Sequence, residues 1–135
     1  MPGPGDERSP AELEARREAE QRGDPFLVYH DGTDSQRILS LSDGWERATI
    51  GRSSYADLCL SWDSEVSRMH AQLERMGDDW TLIDDGLSRN GSFVNGEPVH
   101  GRRRLADSDE LRFGDTTVTF HTPFRGGQET RLPRP

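Results

Sequence analysis

Three short polar motifs hold the residues of this chain best suited to chemistry. They are Gly51-Arg52-Ser53-Ser54, Ser67-Arg68-Met69-His70 and Ser88-Arg89-Asn90-Gly91-Ser92, the last followed by Val94-Asn95-Gly96. Each sets an arginine beside a serine or an asparagine, between runs that alternate like strands. A guanidinium offers a planar fork of donors that matches two phosphate oxygens, and a serine hydroxyl adds a third donor. An asparagine amide carries a donor and an acceptor together, which suits the main-chain groups of a bound peptide. Loops that converge such groups present a surface for a single phosphate. Arg52, Ser67, Arg68, Arg89 and Asn90 are the candidate ligands, with Gly51, Gly91 and the Asn95-Gly96 hairpin turn shaping the loops. Residue type alone leaves open that the arginines are solvated loop charges and Ser67 an ordinary turn serine.

Catalysis finds less support. His70 follows Ser67 by three positions, but no third residue is placed to orient such a pair. His30, His100 and His121 are scattered without metal-ligand spacing, and no phosphate-binding loop of nucleotide hydrolases is present. The expectation is a binding protein with no enzymatic activity, no metal and no cofactor.

The elements that must hold these motifs read as β-strands. From Phe26 the periodicity is two, through Phe26–His30, Arg37–Leu41, Arg47–Ile50, Leu58–Leu60, His70–Met76, Trp80–Asp84 and Ser92–Val94. Arg104-Leu105, Glu110–Phe113 and Thr116–His121 complete the series. About ten or eleven short, mostly antiparallel strands with turn signals every 6 to 12 residues or so predict an all-β sandwich. Ahead of it, Ser9-Pro10-Ala11-Glu12 is a capping box, opening a helix that should run over about 10–22 and stop at Gly23-Asp24-Pro25. Leu13 is its one large apolar residue. So polar a helix is expected to be a solvated extension of a flexible N-terminus, residues 1–25. Residues 122–135, with Thr130, read as a flexible tail, leaving 26–121 as one domain.

Composition narrows the function further. The 135 residues carry a formal net charge of −8, which argues against binding nucleic acid. No apolar run is long enough to cross a bilayer and the N-terminus lacks a signal-peptide pattern, so the expected location is cytoplasmic. All 17 basic residues are arginines, a bias that points to a GC-rich bacterial genome of the actinobacterial kind. Arg102-Arg103-Arg104 is read as a solvated run at a strand edge, and the single Cys59, between two leucines, as a buried hydrophobe.

The ordered motif set resembles the forkhead-associated (FHA) family over residues 26–121. The resemblance implies a β-sandwich that binds phosphothreonine proteins downstream of a Ser/Thr kinase. It assigns the phosphate to Arg52 and Ser67, peptide main-chain contacts to Asn90, and a structural role bracing the serine loop to His70. Arg68 is placed for a second charged contact. Arg89 is left open between phosphate, downstream peptide residues and solvent. Ser92 stands where the family often has threonine. Glu65 stands where some relatives carry a base, and its carboxylate should disfavour acidic residues at the third position after the phosphothreonine. The alternative is a phosphate-independent interaction or scaffold domain on the same fold.

Overall fold

The computed structural model describes residues 9–41, 44–86 and 88–122. Helix α1 spans Pro10–Arg22 with the Ser9/Glu12 capping box formed in both directions. Strands β1 (Phe26–His30), β2 (Gln36–Ser40), β3 (Arg47–Gly51), β4 (Leu58–Cys59), β5 (Ala71–Met76) and β6 (Asp79–Asp84) follow. They are succeeded by β7 (Ser92–Val94), β8 (Glu97–Pro98), β9 (Gly101–Arg104), β10 (Asp109–Phe113) and β11 (Thr116–His121). The tail from residue 123, with Thr130, and the first eight residues lie outside the described residues.

The strands form two sheets, ordered β2-β1-β11-β10-β7-β8 and β4-β3-β5-β6-β9. All pairings are antiparallel except β3 with β4, where Ile50 lies opposite Leu58. Inward-facing residues of the two sheets, among them Leu27, Ile50, Leu73, Leu82, Leu111, Phe113 and Val118, are fully or almost fully buried in one core. Alternation selects them. Leu58 and Leu60 enter the core while Cys59 between them does not: it is half-buried, with its thiol 3.8 Å from the Arg52 carbonyl. The expected burial of Cys59 is thus corrected by strand parity. β9 begins at Gly101, so the arginine run is part of a strand at a sheet edge, with Arg103 paired to Glu97 and Arg104 to Asp79.

The helix also departs from expectation, because it docks. Ala19 is 2% exposed and packs with Phe26, Val28 and Ile38 in a second apolar cluster. Glu12 accepts from the Gln36 backbone N–H at 3.3 Å, and its carbonyl accepts from Gln36 Nε2 at 2.9 Å. Arg16 reaches His121 at 3.2 Å. Leu13, the residue that amphipathic reasoning favours, is 40% exposed. A small residue allows close approach and polar contacts hold the rest, so the helix buries a face without an apolar stripe.

Candidate anion-binding site

The three motifs occupy the β3–β4, β4–β5 and β6–β7 connections, and hydrogen bonds tie them together. At the end of β3, the Arg52 N–H donates to the Ser67 carbonyl at 3.0 Å and the Ser53 N–H to the Arg68 carbonyl at 3.2 Å. This close crossing explains Gly51, since a Cβ there would overlap the Arg68 carbonyl oxygen. Arg52 Nε donates to the Val66 carbonyl at 3.0 Å. That bond aims the guanidinium while its two terminal nitrogens stay uncommitted among the described residues.

His70 is 1% exposed and joins two of the loops. Its Nδ1 receives the Ser67 backbone N–H at 3.0 Å, and Nε2 lies 2.8 Å from the Gly91 carbonyl. An N–H can only donate, so Nδ1 is the acceptor and the proton sits on Nε2, donating to Gly91. The ring also meets Phe113 edge-on at 5.6 Å. With both nitrogens engaged to backbone, His70 has none left to act as a base toward Ser67. Gly91 adopts φ 84°, a left-handed conformation that turns its carbonyl toward His70.

Ser67 Oγ accepts the Arg89 N–H at 2.8 Å, and its own hydroxyl hydrogen has no acceptor among the described residues. Asn90 Nδ2 donates to the Glu65 carbonyl at 2.8 Å and to its carboxylate at 3.1 Å, while Oδ1 makes no bond among the described residues. Among the described residues the Arg89 guanidinium reaches the Ser64 carbonyl alone, at 3.4 Å. Five other arginines, at 17, 37, 47, 103 and 104, are ion-paired. Arg52, Arg68 and Arg89 have no carboxylate partner among the described residues. In a protein with net charge −8, these three arginines, carried by the connections that hold the motifs, are the candidate groups for an anion.

Sequence reasoning missed the residue that anchors the third motif. Asp84, 5% exposed, accepts from the Ser88 hydroxyl at 2.6 Å, the Ser92 hydroxyl at 2.7 Å and the Gly86 N–H at 3.0 Å. Ser88 in turn accepts the Gly91 N–H at 3.1 Å. Burial alone would raise the Asp84 carboxyl, but these hydrogen bonds outweigh it and hold the group below the usual carboxylate value. The signal was present: in Trp80-Thr81-Leu82-Ile83-Asp84, parity puts Asp84 on the core side with Trp80 and Leu82. Asn95, by contrast, lies at the other end of β7. Its side chain bonds Asp109 at 2.9 Å and the Glu110 N–H at 2.9 Å, so it braces β10 rather than touching the loops, while Gly96, at φ 85°, turns the chain between β7 and β8.

No described helix is long and apolar enough to cross a membrane. Among the described residues no three His, Cys, Asp or Glu side chains are placed to hold a metal.

The FHA domain family matches residues 48–114. Over 112 residues the chain is 34% identical to the oxoglutarate dehydrogenase inhibitor of Corynebacterium jeikeium, covering 83% of this chain and 72% of that protein. It is 33% identical over 100 residues to the glycogen accumulation regulator GarA of Mycolicibacterium smegmatis, covering 74% of this chain and 60% of that one. A solved domain described in a study of phosphothreonine-dependent FHA domain interactions superposes with a TM-score of 0.64 at 31% identity. It covers 76% of this chain and 99% of its own. With its two-sheet sandwich and its loop motifs in place, the chain belongs to the forkhead-associated family.

Proposed function

We propose that this domain docks phosphothreonine segments of partner proteins on the surface formed by Arg52, Ser67, Arg68, Arg89 and Asn90. The observation that carries the reading is that Arg52, Arg68 and Arg89, on three connections tied together by hydrogen bonds, have no carboxylate partner among the described residues, with the Ser67 hydroxyl oxygen held by the Arg89 N–H. Arg52 and Ser67 supply charge-assisted donors to the phosphate, and Arg68 and Arg89 add positive potential beside it. The free Oδ1 of Asn90 accepts a peptide N–H next to the phosphothreonine. Gly51, His70 and Gly91 hold the loops, with Asn95 bracing β10 and Gly96 turning the chain between β7 and β8.

The module works as a reversible adaptor in the cytoplasm downstream of a Ser/Thr kinase. It has no catalytic role and needs no cofactor. The solved domain similar to it engages in phosphothreonine-dependent interactions, which supports the ligand class. Calorimetry against degenerate phosphothreonine, phosphoserine and unphosphorylated peptide pools tests the proposal. Two charged hydrogen bonds at about 1.5–3 kcal/mol each predict that Arg52→Ala weakens phosphothreonine binding at least a hundredfold or so. Equal binding of all three pools, or binding indifferent to Arg52→Ala, would instead favour a phosphate-independent scaffold.

A further inference from the structure

The outer face of the five-stranded sheet carries a groove of about 360 Å³ that shares only Arg68 with the proposed phosphate-binding residues. Strand register builds its floor. Thr49 lies opposite Gln72, and Gln72 opposite Ile83, in one row across β3, β5 and β6. Their neighbours Ala48, Leu73 and Leu82 enter the core, so this row faces outward. Ile83 is nevertheless only 3% exposed, an apolar base at the bottom of the groove. Tyr55 and Met69 line its sides and are 95% and 70% exposed. Tyrosine and methionine are side chains that proteins favour at the centres of interfaces, and two so exposed beside one concavity form an apolar surface open to a ligand.

The groove is continuous with the proposed phosphate surface. Ser53 and Arg68, which line it, directly follow Arg52 and Ser67, and Asp85 lines it where β6 leaves for the third motif. All three motif-bearing connections therefore contribute to its edge. A peptide held at the phosphate site thus passes beside the groove, whose edge includes Arg68 and the neighbours of Arg52 and Ser67. The groove's volume is ample for a large side chain of such a peptide.

We propose that this groove receives a leucine, methionine or aromatic side chain of the same phosphorylated segment, so that a partner is read at two points. The inference rests on the phosphothreonine reading. The test is a set of phosphothreonine peptides with alanine at every flanking position, into which leucine is introduced singly on either side. At one position leucine should raise affinity about tenfold, within the range that a buried anchor supplies. In the Tyr55→Ser/Met69→Ser double variant that gain should vanish, while the all-alanine peptide binds both proteins within about twofold. Amide signals of Gln72 and Ile83 should shift with the leucine peptide and not with the alanine peptide.

Absence of any apolar preference, or a preference that survives the double variant, would overturn the groove assignment while leaving phosphothreonine binding intact. Failure of the folded protein to bind any phosphothreonine peptide would overturn both readings.

Discussion

Removing the Asp84 carboxylate should loosen the third binding loop and destabilise the fold together. In Asp84→Ala the Ser92 hydroxyl, fully buried, loses its acceptor, as does the half-buried Ser88 hydroxyl. A buried polar group left unsatisfied costs about 1–3 kcal/mol, and Ser88 regains part of its loss from water. The sum is a destabilisation of about 2–4 kcal/mol, a large share of the roughly 5–15 kcal/mol typical of a domain. Asp84→Asn keeps one oxygen acceptor and should lose about half as much. Urea unfolding measures both, and phosphopeptide titration of the folded variants should show weaker binding, because Ser88 no longer fixes Gly91 beside Asn90.

The pH dependence supplies a sharper check. Asp84 titrates below its ordinary value in the folded state, so its ionised form is what the fold stabilises. Its contribution is fully present above the unfolded carboxylate pKa and is lost as pH falls through the lower folded value. The stability gap between wild type and Asp84→Asn should therefore be constant near neutrality and shrink in acid. A gap under about 0.5 kcal/mol at neutral pH, or one that does not change with pH, would refute the role given to this carboxylate.

Two further outcomes are expected. Glu65→Gln removes the carboxylate beside Asn90, so peptides with an acidic residue at the third position after the phosphothreonine should gain several-fold in affinity, most at low salt; an unchanged preference in a peptide array would sink that assignment. His121 stacks on Phe26 and faces Arg16 and Glu20 of the helix and Asp107 of the β9–β10 connection; burial first, then Arg16, lowers its pKa. A neutral His121 favours the docked helix, so docking should be fully stable above the unfolded histidine value of about 6.5 and weaken as pH falls below it. Hydrogen exchange across residues 13–20 should speed up between pH 7.5 and 5.5 in wild type and lose that pH response in His121→Leu, once corrected for intrinsic exchange rates.

What could be read from the sequence, and what could not, follows from the range of the forces involved. Strand alternation is local, so Ser92–Val94 and Thr116–His121 match their expected bounds, and the capping box fixes the helix start at Pro10. The unbroken run Phe26-Leu27-Val28 held a further message. Leu27 faces the main core while Phe26 and Val28 face the helix, so β1 is buried on both sides, as an apolar run without alternation implies. Read that way, the run calls for a cover that a polar helix with a single buried alanine can provide. The candidate ligands were singled out by residue type together with the ordered motif set that resembles the family. The bonds that aim them were not: Asn90 to Glu65, His70 to Gly91 and Arg52 to Val66 span 14 to 25 positions and end mostly on backbone carbonyls, which every residue has. A sequence can name a side chain that binds phosphate, but the carbonyl that orients it is specified only when the sheets close.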